Sequence, residues 1–457
     1  MGGIGSARLG QLKREFELVS KILEHWETVD KDFGISLVEF QQRQEKTYRA
    51  LREQGLCVGF VFSDEHYDGD VPYLGGNTNI GIEQVAGIIG ETGFHIVAGL
   101  EGGYIAEQLA PRSGSKVHKV ELLQLADEKY PIAAEQLEDV LAAANDGRPV
   151  DRIGLLTPRQ VIPAGIVAYL ENLVGKENVV DAQIHYFKIK YEKSDAEMRL
   201  IRDANVIADA MLRAMLAVLK PGMLETQVAG WAYLVAKELG SEENGWDVMV
   251  TANQANRTLI GKALNRPIHE GDYVHLGVAP KRDGLNACVR RSVIAVDHLS
   301  KVTAEQRYWF DFVEQAYKVG FQKYCEVAAK NLPARLQEQA LVDFFAAKAE
   351  EVSKRVGNKI DLVRQKPYTG THNAGYTECQ EFYGAITLES NEPPGHQIVT
   401  MLDVAIRGIG DHWDEVIVPG LDFVVIENTL GKFGPRVETF NKLPLNCQAL
   451  VGNVDEI

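Results

Sequence analysis

The apolar pattern of the chain changes once, close to Tyr186–Ser194, and that change limits the architecture more than any other feature. Before it, short apolar runs alternate with helical periods. CVGFVF (Cys57–Phe62), FHIVAG (Phe94–Gly99) and RIGLL (Arg152–Leu156) have the length and bulk of buried strands. Ala134–Ala144 has helical spacing between the last two. Such alternation predicts a sheet covered by helices. After the change, a helical period runs from Asp195 to Leu219 and stops at Pro221-Gly222, and a second spans Glu225–Leu239. Tyr273–Val278 and Val289–Val296 follow as strands flanking a turn at Gly284. A helical block then covers Ala304–Val356, broken near Asn331–Pro333, and the last hundred residues return to short strands, ending in EVIVPG and DFVVIEN. The expected division is a helical extension over 1–34, an α/β domain over 35–185 and an α+β domain over 186–457.

Composition narrows the class. At roughly 150 residues per domain, 457 residues suit three domains or two large ones. A hydrophobic share of 45% with 25% charged residues excludes a disordered or fibrous chain. The formal charge of −16 argues against a broad face for nucleic acid or anionic lipid. The five cysteines lie far apart with no CxxC pair, as in a reducing compartment. Met1–Asp30 carries charges throughout, without the apolar core of a secretory signal. No apolar run approaches the ~18–20 residues of a membrane helix. A cytoplasmic protein with no nucleic-acid or membrane partner is expected. At the N-terminus Leu18, Ile22 and Trp26 form one helical stripe and Val38, Tyr48 and Leu51 recur in a second, Trp26 reading as a packing residue.

Four segments in order carry a family resemblance. They are KSDAEMRLIRDA (Lys193–Ala204), LKPGMLETQVA (Leu219–Ala229), GDYVHLGVAPKRDGLNACVRRSVIAV (Gly271–Val296), and THNAGY (Thr371–Tyr376) with EPPGHQIVTMLDVAI and HWDEVIVPG. Together they resemble the pita-bread family of creatinase, prolidase, aminopeptidase P and methionine aminopeptidase. YLGG (Tyr73–Gly76) in the first half suits the creatinase and prolidase branch. The resemblance implies a creatinase/prolidase-like N-terminal α/β domain, an α+β pita-bread C-terminal domain and a homodimer.

Peptidases of this fold hold two metal ions with two Asp, one His and two Glu, whose anionic oxygens suit hard or borderline cations. The resemblance places the first Asp at Gly277 and the second at Cys288, and it matches the His with His372. The fourth ligand falls at Met401, or at Leu402 or Asp403 after a slide of one or two residues; the last Glu falls at His412 or Trp413. A dinuclear centre and a cofactor are therefore not expected. A single divalent ion would need His275, His372 and His412 to converge, with Asp403 or Asp414 adding a carboxylate.

Creatinase cleaves a C–N bond without metal, and its hairpin aligns here through Gly271-Asp272, Pro280, Gly284 and Arg291. Two departures stand out. The chain has no histidine between His185 and His269, where creatinase carries its catalytic one, and Arg290 replaces the Glu that contacts the cationic substrate. An arginine fork favours a carboxylate or phosphate. The alternative is a structural pairing of Arg290 with Asp414 or Glu415. Strand alternation sends Arg290 and Arg291 to opposite faces. Around them, Lys281–Arg291 holds four basic residues against one acid, Asp283.

The candidate roles follow. His372 is the acid–base residue, since imidazole exchanges a proton near neutral pH. Glu381 or Glu415 orients it, with Glu378 and Cys379 close to the same slot. Arg290, His275, Asp414 and His412 form the substrate-binding set. The leading expectation is a creatinase-like, metal-independent hydrolase of an amide or amidine C–N bond in a small anionic compound. The alternatives are an Xaa-Pro-type peptidase with a remodelled metal site, and a non-catalytic small-molecule-binding member of the fold.

Overall fold

The computed structural model describes residues 5–124, 134–377 and 382–454. The chain divides into two compact units. The smaller comprises Phe33–Glu192 and Gly375–Tyr383; the larger comprises Met1–Asp32, Lys193–Ala374 and Gly384–Ile457.

In the smaller unit, strands β1 (Val58–Ser63), β2 (Val85–Gly90), β3 (Gly93–Ala98), β4 (Lys116–Lys119), β5 (Ile153–Leu155) and β6 (Val179–Asp181) form one sheet in the order β4-β3-β2-β1-β5-β6. Both pairings of β2 are antiparallel, and the rest are parallel. The sequence pattern misses β2 because Gly87 and Gly90 interrupt its apolar run. Both glycines make room: a Cβ at 87 would stand 2.1 Å from the Phe94 ring, and one at 90 would stand 2.3 Å from the Ala144 carbonyl. Helices of this unit bury apolar residues on the sheet, as Leu137, Val140, Leu141 and Ala144 do with Ile88 and Val97. The buried stripe of the helix Leu37–Glu53 is Phe40, Arg43, Gln44, Thr47 and Leu51. Val38, expected in that stripe, is 61% exposed.

The larger unit has the sheet that carries the chemistry. Its strands are β7 (Met249–Ala252), β8 (Tyr273–Val278), the short pair β9 (Lys281–Arg282) and β10 (Leu285–Asn286), then β11 (Val289–Ile294), β12 (Thr371–Asn373), β13 (Gln397–Arg407), β14 (Phe423–Phe433) and β15 (Arg436–Thr439). The main sheet runs β12-β13-β14-β11-β8-β7, with β15 on β14. The helix Asp195–Val218 starts on a capping box in which Ser194 and Glu197 satisfy each other's backbone N–H groups. It packs with Glu225–Leu239 over Val274, Leu276 and Val278. The N-terminal helix Ser6–His25 adds Val19 and Ile22 to that core, and the Trp26 indole donates to the Val206 carbonyl at 2.9 Å. Helices Ala304–Lys330 and Arg335–Val356 instead cover Leu402, Val404, Ile406, Val424, Ile426 and Leu430. Since side chains alternate along a strand, His275, Gly277, Met401, Asp403, Val425 and Glu427 point away from those two cores.

One expected strand is absent. EVIVPG lies in a run of turns over 411–420, where Ile409 and Val416 make only an isolated bridge. Gly410 N–H donates to the Glu415 carbonyl at 2.8 Å, and the Glu415 carboxylate turns back to accept from Asp411 N–H. From Phe423 on, DFVVIEN by contrast forms the first part of β14, which extends through Phe433. Among the described residues, no helix is long and apolar enough to cross a membrane.

A buried histidine in the smaller unit sets a pH dependence. Burial first, then the charges of His118 and Lys116, depress His95 from 6.5 to about 4. Its ring joins Thr92 Oγ1 at 2.8 Å to His118 at 2.9 Å, and His118 meets Glu135 at 2.8 Å. The unfolded chain protonates before the folded one does. This contribution is therefore complete above pH 6.5 and is lost as pH falls towards 4, at a cost of about 1–3 kcal/mol. Urea unfolding at pH 7 and pH 4.5 should show a larger fall in midpoint for the wild type than for His95→Gln.

Candidate functional site

Register builds the site. Gly277 on β8 pairs with Arg290 on β11, Arg290 with Glu427 on β14, and Glu427 with Asp403 on β13. Residues directly opposite each other share a face, so these four form one row across the sheet. His372, on the edge strand β12, stands opposite Met401 and brings its Nε2 to 3.4 Å from Glu427 Oε1. The row is buried: Arg290 is 5%, Asp403 4% and Glu427 1% exposed.

Arg290 spends its donors inside this cluster. Its Nη1 donates to Asp403 Oδ2 at 2.7 Å, lies 3.4 Å from Glu427 Oε2 and reaches the Tyr368 hydroxyl at 3.2 Å. Its Nη2 donates to the Leu259 carbonyl at 2.6 Å, and its Nε donates to His275 Nε2 at 3.0 Å. No bidentate fork is left over for a substrate anion.

His275 is thereby fixed as a neutral ring. Burial and then the Arg290 charge hold it well below its ordinary value, and Nε2 is already an acceptor. Burial works against the Arg290 charge, but Asp403, Tyr368 and Glu427 outweigh it and raise the guanidinium well above its ordinary value. The two carboxylates part. Burial, with Glu427 adding to it against Arg290, pushes Asp403 up to about 7. Burial also opposes the Glu427 charge, yet His372 and Arg290 hold that carboxylate below its ordinary value.

The structure brings together His372, Arg290 and His275 and leaves the other candidates elsewhere. Asp414, Glu415 and His412 are exposed in the turns over 411–420. Glu381 lies outside the described residues, as do Glu378 and Cys379. His275, His372 and His412 do not form a metal cluster among the described residues, because His275 Nε2 serves Arg290 and His412 sits in the exposed turns. Arg290 pairs with Asp403 and Glu427 rather than with Asp414 or Glu415. Lys281 and Arg282, expected to add positive potential, pair with Glu243 and Glu242.

Glu427 was missed, and Asp403 was reached only as a shifted register. Treating EVIVPG as the last strand put the final ligand at His412 or Trp413. The usable signal was Glu427 itself, a lone acid in the apolar alternation Phe423, Val425, Glu427 of β14.

Comparison with known proteins supports the fold. Residues 199–361 match Metallopeptidase family M24. The chain has the pita-bread fold, and that segment of its larger unit is similar to M24 metallopeptidases. The prolidase of Pyrococcus horikoshii OT3 superposes with a TM-score of 0.67 at 15% identity, over 88% of this chain and 99% of that one. The X-Pro aminopeptidase of Thermotoga maritima MSB8 gives 0.69 at 15% identity, over 88% and 98%. Among curated relatives, the Xaa-Pro dipeptidase of P. horikoshii is 24% identical over 227 residues, 48% of this chain and 60% of its own length. The uncharacterized peptidase YqhT of Bacillus subtilis is 20% identical over 217 residues, 47% and 59%. The chain thus spans about three fifths of the length of the curated relatives it matches.

Two metal ions do not fit these residues. The resemblance places the two aspartates at Gly277 and Cys288, which carry no carboxylate, and the Arg290 guanidinium already sits on one oxygen each of Asp403 and Glu427. Three atoms of His372, Asp403 and Glu427 do lie within 4.8 Å of one another, which is a ligand set for one ion at most.

Removing the charge of Arg290 leaves two buried carboxylates facing each other. Arg290→Met should cost about 3–5 kcal/mol in urea unfolding. Adding Asp403→Leu and Glu427→Leu should recover most of that loss, because an apolar cluster replaces a buried ionic one.

Proposed function

We propose that this pita-bread protein hydrolyses an amide or amidine C–N bond of a small molecule by acid–base chemistry on His372, Asp403 and Glu427. The observation that carries the reading is a convergence of acceptors. Asp403 Oδ1 is buried without a hydrogen-bond partner, and Glu427 Oε1 accepts nothing closer than the 3.4 Å approach of His372. His372 Nδ1 lies 3.1 Å from the Asn373 carbonyl oxygen, which turns Nε2 towards the Glu427 carboxylate. A substrate group rich in N–H would satisfy these atoms, as buried polar atoms require.

The split carboxylates supply the proton inventory, since paired groups driven apart take acid and base roles. In the proposed cycle His372 Nε2 accepts a proton from water as its oxygen bonds to the substrate carbon. The C–N bond then breaks as the leaving nitrogen takes a proton from the Asp403 carboxyl, and the proton gained by His372 returns to Asp403 to close the cycle. Glu427 stays ionised and holds the substrate N–H. Arg290 offers no fork to an anion, so substrate charge is set outside this cluster. A homodimer is part of the same proposal.

A second reading has its own support. The three converging atoms would also hold one divalent ion, and the similar proteins include prolidases and Xaa-Pro dipeptidases. An Xaa-Pro-type peptidase with one ion would follow, the ion supplying an activated water.

Assay of purified chain against small amides, amidines and Xaa-Pro dipeptides separates these readings. Metal-free hydrolysis is expected to survive chelation and to fall about 10²–10⁴-fold in His372→Ala, with an unchanged melting temperature. Activity on Xaa-Pro dipeptides that disappears on chelation and returns with one equivalent of metal would establish the second reading. Ligand binding without turnover, indifferent to His372→Ala, would overturn both.

A further inference from the structure

We propose that Arg290 is the permanent cation of this site, standing in for the divalent ions that the M24 similarity otherwise implies, and that Gly277 is its necessary partner. The inference deepens the metal-free reading and rests on it, but it concerns binding rather than turnover.

Three observations support it. The first is charge: two carboxylates in register on adjacent buried strands need a positive group, and Arg290 Nη1 reaches both. The second is space. A Cβ on Gly277 would stand 3.0 Å from Arg290 Cγ and 3.1 Å from the Trp246 ring, so any side chain at 277 presses on the arginine stem. An aspartate at 277 and the present course of Arg290 compete for the same volume. The third is anchoring. The guanidinium is tied to the Leu259 carbonyl, the Tyr368 hydroxyl and His275, so it is fixed from several elements rather than swung in from the surface. His275 Nε2, a metal-ligating atom type, is consumed as an acceptor for Arg290.

This makes positions 277 and 290 a coupled pair. Either the sheet carries a carboxylate at 277 and bound ions, or it carries glycine at 277 and an arginine at 290. A change at 290 alone leaves the Asp403–Glu427 pair short of positive charge and open to a divalent ion, with His372 as third ligand.

The test is titration of chelator-treated full-length chain with Mn²⁺ and with Zn²⁺, read by calorimetry, elemental analysis after desalting, and melting temperature. Wild type should retain well under one equivalent of metal and show no shift in melting temperature. Arg290→Met, and Gly277→Asp combined with Arg290→Thr, should melt lower without metal, regain stability on adding it, and bind at least about 10–100-fold more tightly than wild type. Arg290→Lys keeps a charge in place and should stay metal-free, which guards against a Met variant that does not fold. Wild type that retains one or more equivalents of metal would overturn the proposal. So would folded Arg290→Met and double variants that bind metal no better than wild type. Failure to find hydrolysis with any substrate would leave these binding results standing and would strike only the proposed reaction.

Discussion

Asp403 and Glu427 face each other on neighbouring strands of a buried sheet, and much of the larger unit is arranged around that conflict. Carboxylate oxygens within 4.8 Å of each other repel by roughly 3 kcal/mol at an effective dielectric of about 20, before any loss of hydration. A proton, a metal ion or a fixed cation must relieve them. Arg290 does so from the adjacent strand, and its placement fixes its surroundings in turn. Residue 277 has no side chain, His275 is neutral, the Leu259 carbonyl faces inward, and the Tyr368 hydroxyl lies beside the guanidinium.

The fold keeps that cluster together because of strand alternation. Leu402 and Val404 lie with Ile426 in the core under the helices Ala304–Lys330 and Arg335–Val356, while Asp403 and Glu427 occupy the intervening positions. A slip of β13 by one residue would turn Asp403 under those helices and carry Leu402 and Val404 to the opposite face. The same rule separates the two arginines of β11. Arg290 enters the site; Arg291 turns the other way, donating to the carbonyls of Pro444 and Glu427 and to the Asn428 side chain. The hydrophobic register and the charge cluster therefore enforce each other.

This explains which parts were legible in the sequence. The helices Asp195–Val218 and Glu225–Leu239 and the strand Tyr273–Val278 were readable because periodicity and their stops, Pro221-Gly222 and Gly284, are local. The four ordered segments sufficed for the pita-bread fold. The site was harder because its members are brought together by pairing between strands more than a hundred residues apart in sequence, such as those of Arg290 and Glu427. Local cues there were misleading. EVIVPG has the apolar content of a strand, yet Gly408 and Gly410 force turns: a Cβ at 408 would fall 1.8 Å from the Leu421 carbonyl, and one at 410 would meet the Glu415 carboxylate. Placing the last ligand on that segment carried the search away from Glu427. Arg290, by contrast, could be singled out from its sequence neighbourhood, but its partners could not.

The basic run Lys281–Arg291 shows the same limit from the side of electrostatics. Four cations against one acid suggest a positive pocket, but every one of them is matched by a partner distant in sequence. Lys281 pairs with Glu243, Arg282 with Glu242, Arg290 with Asp403 and Glu427, and Arg291 is satisfied by carbonyls and Asn428. All four are buried. A buried cation is tolerated only with such partners, so a cluster of them records how many acceptors the fold supplies rather than how positive the cavity is. The site's charge is then set by the acids in excess. Two carboxylates and one guanidinium leave one negative charge before any proton binds, and His372 and the raised Asp403 are the groups that can offset it. Such a cluster has no free guanidinium fork for an anion, so the basic run of the sequence does not by itself supply an anion-binding site.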